Sequence, residues 1–216
     1  MIRSATIPAA LAALLAAHGP AHAQSNGDPG AVAPPAIIER PSPTDRGVFI
    51  AQVGTGNTAT AQADGADGHV RAIQSGDGNR AEIAQRGPGR HDARLAQDGE
   101  ANEAFALQQG NGDTVLMLAQ QGALNSARVF QREDGASYSA AAISQNGSRN
   151  TLLLTQEGSD NQARLAQNGD GNMMTATQIG DNNRLAWEQN GTGLSDMQIT
   201  QSGGQAMQIT QTGPGG

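Results

Sequence analysis

Glutamine recurs along this chain at a step that leaves little choice of architecture. Gln52, Gln62, Gln74, Gln85, Gln97, Gln108, Gln120 and Gln131 come first. Gln145, Gln156, Gln167, Gln178, Gln189, Gln201 and Gln211 follow. Most steps are eleven or twelve residues, two are ten, and the step from Gln131 to Gln145 is longer. Glycine stands two residues on at Gly54, Gly76, Gly87, Gly99, Gly110, Gly122, Gly147, Gly158, Gly169, Gly180, Gly191 and Gly203. Asparagine stands five residues on at Asn57, Asn79, Asn102, Asn125, Asn150, Asn161, Asn172 and Asn183. A drifting Gln/Gly-rich tract would not hold such a register, so simple low complexity is a poor description.

Between Asn and the next Gln the period is two. Asn79 leads to Ala81, Ile83 and Gln85; Asn161 leads to Ala163, Leu165 and Gln167; Asn183 leads to Leu185, Trp187 and Gln189. Arg80, Glu82, Gln162 and Arg164 fill the alternate places. Such alternation puts one set on the buried face of a strand and the other in water. A helix would need apolar residues three and four apart, and Gly-x-x-Asn would interrupt it at each step. Each unit therefore reads as a strand of about five residues and a tight turn, with Gly and Asn supplying the turn. Two units make a rung of about 22 residues. Stacked in parallel, the rungs predict an all-β fold, a β-solenoid with two facing sheets, amyloid-like in its repeat. Seven or so rungs at ~4.8 Å would span on the order of 35 Å.

The inward face then reads Asn-x-Ala-x-Leu/Ile-x-Gln. A buried amide left unpaired costs roughly 1–3 kcal/mol. Stacked on its equivalent one rung away, it finds donors and acceptors along the stack. The predicted structural ladder is Gln52, Asn57, Gln74, Asn79, Gln85, Gln97, Asn102, Gln108, Gln120, Asn125, Gln131, Gln145, Asn150, Gln156, Asn161, Gln167, Asn172, Gln178, Asn183, Gln189, Gln201 and Gln211. Charged turn residues (Asp77, Arg86, Asp98, Asp170, Asp181) read as brakes on premature aggregation. Three departures stand out: Gln62 has no Gly in place, "QREDGASYSAAAISQ" after Gln131 reads as a bulged turn or a seam, and the last unit has no Asn.

Composition agrees with a thin, repetitive core. Aromatics make up 2% of the chain, cysteine is absent, and Ala, Leu, Ile, Val and Met must do the packing. The net charge is −7 and every basic side chain is Arg. A broad basic surface is missing, which argues against nucleic acid as a partner. Residues 1–23 carry Arg3, an apolar run from about Ala5 to Ala17 and Ala21-His22-Ala23 before Gln24. They read as a secretory signal peptide, too short to span a bilayer comfortably. Residues 24–47 are rich in Pro and Gly and read as a linker or secretion-address segment, with an ordered edge piece around Ala36-Ile37-Ile38 as the lesser alternative. Residues 48–216 are assigned to the repeat.

"QSGDGNRAEIAQ" (Gln74–Gln85), "QQGALNSARVFQ" (Gln120–Gln131) and "QEGSDNQARLAQ" (Gln156–Gln167) resemble the curlin repeat of bacterial curli subunits. The likeness runs from about Val48 to Gln211. It implies an exported structural subunit of extracellular functional amyloid, which leaves through an outer-membrane pore with accessory factors and polymerises with itself and other curlin-type subunits as biofilm matrix. The family's major subunit usually carries Ser six places before Gln, matched here only at Ser139 and Ser195. The remaining units look more like the minor, nucleating subunit.

Other chemistries are thinly represented. His69 and His91 are not spaced with carboxylates for a metal and fall near the Asn place of the turn. "DGADG" (Asp64–Gly68) and "NGDGN" (Asn168–Asn172) lack the full glycine-aspartate nonapeptide of calcium-binding rolls. "GTGNTA" (Gly54–Ala59) has no Lys and no strand-to-helix switch for a phosphate. No strained nucleophile turn is present, Trp187 and Tyr138 read as packing residues, and neither an enzyme nor a cofactor is expected. The alternative is a soluble, capped β-solenoid adhesin or surface-binding protein, which would want regular outward Thr rows and caps. The outward places are mixed (Arg80, Glu82, Arg128, Thr155, Arg164, Thr177), and "QTGPGG" is a weak cap.

Overall fold

In the computed structural model the ladder glutamines and the apolar pairs fall on two parallel sheets, and each ladder Asn stands immediately before a strand. The structure describes Ile38, 46–65 and 67–213. The signal peptide and most of the Pro/Gly-rich segment lie outside these residues. Strands are numbered along the chain. One sheet holds β1 (Gly47–Val53), β3 (His69–Ser75), β5 (His91–Glu100), β7 (Asp113–Ala123), β9 (Tyr138–Ser148), β11 (Gln162–Asn168), β13 (Arg184–Asn190) and β15 (Ala206–Thr212), in that order. The other holds β2 (Thr58–Ala63), β4 (Arg80–Arg86), β6 (Glu103–Gly110), β8 (Ser126–Glu133), β10 (Thr151–Glu157), β12 (Met173–Ile179) and β14 (Ile199–Ser202). We call them the odd and even sheets. Consecutive strands lie in opposite sheets, and no helix occurs among the described residues. The fold is a β-solenoid of about seven turns.

Register follows the repeat. Gln74 lies beside Gln97, Gln120 beside Gln145, and Gln156 beside Gln178. Equivalent residues are 22, 23 or, across the irregular stretch, 25 apart. That stretch is no seam, because β9 pairs in register with both β7 and β11. The extra residues bulge out in the turn between β8 and β9. Gln62 departs the other way: Ala63 stands opposite Gln85, so Gln62 is one place out and bonds Asp64 at 2.9 Å.

The core is two residues wide per strand. Pairs such as Ala93 and Leu95, Leu116 and Leu118, Leu152 and Leu154, and Leu185 and Trp187 are all at most 2% exposed. Trp187, predicted to pack, does so, with Nε1–H donating to Gln211 Oε1 at 3.0 Å. A second, smaller cluster sits on the outer face of the odd sheet, where Val115, Ala140 and Ala142 pack with Ile38. The Ile38 N–H donates to Gln162 Oε1 at 2.8 Å, and Tyr138 Oη donates to the Ile38 carbonyl at 2.9 Å. Ile38 thus packs on the outer face of the odd sheet, and Ala36 and Ile37 of the expected edge piece lie outside the described residues. Tyr138, delivered by the widened turn, helps build the seat of Ile38.

Candidate functional site

Two continuous files of glutamine amides run through the stack. In the odd sheet Gln52, Gln74, Gln97, Gln120, Gln145, Gln167, Gln189 and Gln211 are joined Nε2–H to Oε1 at 2.6–2.9 Å. In the even sheet Gln85, Gln108, Gln131, Gln156, Gln178 and Gln201 are joined at 2.7–3.0 Å. The second amide hydrogen goes to a backbone carbonyl across the turn, as from Gln120 to Glu103 and from Gln156 to Ala140. Parallel in-register stacking at one strand spacing sets these distances. Each interior amide is thus satisfied on both sides with almost no water in reach. The exception is Gln85 Oε1, which is buried without a donor because Ala63 occupies the preceding rung's place.

The asparagines act differently from the glutamines. At the corner leading into the even sheet, Asn57, Asn79, Asn102, Asn125, Asn150 and Asn172 each offer Oδ1 to the backbone N–H one rung on, at 2.9–3.1 Å. Their Nδ2–H groups reach the turn-glycine carbonyl of the next rung, at 2.6–2.9 Å. They knit backbone to backbone, and only some also touch amide to amide, as Asn102 does with Asn79. The opposite corner holds Asn161 and Asn183, with Ser139 Oγ accepting the Asn161 N–H in the rung before.

Toward the first rungs that corner changes chemistry. His91 fills it, fully buried, with Nε2 3.1 Å from the Arg86 carbonyl and Nδ1 2.8 Å from Thr114 Oγ1. A carbonyl only accepts, so Nε2 carries the proton and, in the neutral ring, Nδ1 accepts from the hydroxyl. Burial pushes the His91 pKa below the ordinary value, against the opposing pulls of the Arg86 carbonyl and Asp113. His91 opens β5 rather than sitting in the turn, at the place that Thr114 and Ser139 hold in the following rungs. His69 stands 3.4 Å from Asp92, and no group of His, Cys, Asp or Glu among the described residues is set to hold a metal.

Turn glycines are close-stacked. A Cβ on Gly99, at φ +120°, would lie 2.0 Å from the Gly122 carbonyl oxygen, so no side chain fits. The residue after that glycine carries a role the sequence reading missed. Asp77 takes the Thr55 N–H at 2.7 Å, Asp170 the Ser148 N–H at 2.6 Å, and Asp181 the Ser159 N–H at 2.7 Å. These carboxylates staple one turn to the next as well as adding charge. The bonds from Thr55 hold the Asp77 pKa below its usual value. The available signal was Thr or Ser after Gly in one rung and Asp after Gly in the next. Glu133 was also missed. It occupies the turn-glycine place, fully buried, and accepts from Gly135 N–H, Ser139 Oγ and Asp160 N–H at 2.6–3.1 Å.

Among the described residues, nothing covers the two ends of the stack. Val48, Phe49, Ile50 and Val53 of β1 are 39–49% exposed, although Val48 and Ile50 occupy core places one rung before Val70 and Ala72. β2 and β15 show the same loss of cover, with no buried residue in either. An apolar strand with an unpaired edge is a template for another strand. Against known proteins, residues 147–180 match the family model of the curlin associated repeat. Neither the curated proteins nor the solved structures give a match.

Proposed function

We propose that this chain, of which residues 147–180 match the curlin associated repeat, is an exported structural subunit of extracellular, curli-like amyloid fibres, of the nucleating kind. Copies add rung on rung, head to tail, through the amide files. Such a contact does not close on itself and so grows a fibre. The partners are further copies, other curlin-type subunits and, on the way out, an outer-membrane pore with its accessory factors.

The observation that carries this reading is the pair of ends left uncovered by the described residues on a stack whose buried amides, Gln85 Oε1 excepted, are hydrogen-bonded. A capped adhesin would hide the core places of β1, which stand open. The nucleating assignment rests on the scarcity of Ser six places before Gln. Of the two candidates, only Ser139 bonds a ladder residue through its hydroxyl; beside Ser195 it is the Leu194 N–H that donates to Asn172 Oδ1.

The test is to release the chain from denaturant at low micromolar concentration, follow an amyloid-binding dye, and take fibre diffraction. Growth with almost no lag and an axial reflection at roughly 4.7–4.8 Å is expected. A β-rich monomer that stays dye-silent would refute the fibre reading. Fibres that form only after a long lag would refute the nucleating role.

A further inference from the structure

The two sheets do not contain equal numbers of strands. The odd sheet has eight and the even sheet seven, fifteen in all. The described solenoid begins with an odd-sheet strand, β1, and finishes with another, β15. Both end faces therefore step out on the same side. Beyond β14 the even sheet is one strand short.

A second copy set on that face without rotation would pair its β1 with β15. Its β2 would then lie two strand spacings from β14, leaving a slot one strand wide. Such a slot strands backbone donors and acceptors away from water and leaves core side chains without neighbours. Turning the second copy half a revolution about the stack removes the slot. Its β1 then continues the even sheet on β14, where a sixteenth strand would fall, and its β2 continues the odd sheet on β15.

We infer that successive copies meet through a half-turn, β1 of one on β14 of the other and β2 on β15. This rests on the fibre reading above and adds the geometry of the joint. The register follows from the glutamine files. Gln201 faces Gln52 of the next copy, as Gln178 faces Gln201 within one chain. Ile199 then covers Ile50, one of the exposed core places of β1. On the other side Gln211 faces Ala63, and Ile209 and Met207 face Ala61 and Ala59. All four of those core residues are only partly buried in the single chain, at the margins of the core. Hydrogen-bonding capacity matches too: Gln52 uses its Nε2–H on Gln74, and Gln201 is joined to Gln178 through Oε1. The Nε2–H groups of Gln201 bond the Arg184 carbonyl at 3.0 Å and the Gln205 carbonyl at 3.3 Å, so the joint offers the open Gln52 Oε1 in exchange for the longer of the two. Ile38 sits on the outer face against residues of β7 and β9, so it does not cover the β1 edge.

Cysteine pairs read the joint directly, because the chain has none of its own. With Gln201 opposite Gln52, the outward neighbours Ser202 and Val53 also come opposite. Strand spacing brings their Cα atoms within disulfide range, ~4.4–6.8 Å. The full chain carrying V53C and S202C, assembled reduced and then mildly oxidised, is expected to give covalent multimers on a non-reducing gel. V53C with T212C, the pair opposed in the unrotated joint, is expected to stay mostly monomeric. Multimers from the second pair rather than the first, or fibres that crosslink with neither, overturn the half-turn while leaving the fibre reading standing. No fibres from the unsubstituted chain overturns both. Electron cryo-microscopy of unsubstituted fibres gives an independent reading. The half-turn requires both sheets to be unbroken and each copy to rise about 36 Å, seven and a half strand spacings of ~4.8 Å. A vacancy at every eighth place of one sheet excludes it.

Discussion

Replacing Gln120 by Ala should cost far more than replacing Gln52 by Ala, though both are ladder glutamines in the same sheet. Gln120 is 2% exposed, donates to Gln145 Oε1 at 2.8 Å and to the Glu103 carbonyl at 3.0 Å, and accepts from Gln97 at 2.8 Å. Three bonds at a net of about 1 kcal/mol each give ~3 kcal/mol. The stranded Gln145 Oε1 and the cavity raise that toward about 4 kcal/mol. Gln52 sits in the first rung with one ladder bond, to Gln74, and water within reach. Its loss should cost about 1 kcal/mol or less. The assay is guanidinium unfolding of the monomer by circular dichroism, read before any dye signal develops. Q120M keeps most of the volume and removes the bonds, so it should recover little of the loss. Equal effects at Gln120 and Gln52, or near-full recovery by Q120M, would mean that packing and not the amide file stabilises the rungs.

Three further outcomes follow from single positions. Gly99→Ala should destabilise by about 3 kcal/mol or more, since its Cβ meets the Gly122 carbonyl at 2.0 Å; Gly171→Ala, with nothing within 4 Å, should cost about 1–2 kcal/mol from φ alone. Ala63→Gln should stabilise by about 1 kcal/mol by giving Gln85 Oε1 its donor, and an unfolding midpoint unmoved or lowered would count against the reading of that buried oxygen. His91 has a lowered pKa, so the unfolded chain binds the proton more readily than the folded one; stability should fall as pH drops below the ordinary value of 6.5, and H91N should flatten that part of the pH profile.

Much of this architecture was legible in the sequence because the constraint is repeated. A strand of period two broken every eleven or twelve residues by Gly and Asn admits few folds, and fifteen strands repeat the same statement. What escaped lies where the repeat is carried by a different residue. At the corner leading into the odd sheet the place passes from His91 through Thr114 and Ser139 to Asn161, and only hydrogen-bonding capacity is shared. Gln62 already departed from the repeat, ten residues after Gln52 and with no Gly in place, but only the strand register shows that Ala63 takes its place in the file. Glu133 breaks the glycine rule at a turn, and its burial depends on Ser139 and Asp160, the latter 27 residues away. No local pattern reports a partner at that distance.

The glutamine files also have a direction, which bears on how a fibre of such chains would grow. In all twelve side-chain bonds the Nε2–H of the earlier rung donates to Oε1 of the later one. The stack therefore presents acceptors at its β1 end and donors at its β14–β15 end, and two copies match only head to tail. The ends are unequal in quality as well. At the first rung one file offers Gln52 and the other only Ala63; at the far end both Gln201 and Gln211 are present. Gln211 turns its Nε2–H to the Ser195 carbonyl at 3.3 Å, a long bond it can exchange for a better acceptor. In the half-turn joint inferred above, copies would share one glutamine bond where an interior rung holds two. Such joints would be the weak planes of a fibre, and the A63Q variant should both strengthen them and slow fragmentation under shear. Should A63Q fibres fragment at the unsubstituted rate while the monomer is stabilised, the joint does not run through that file.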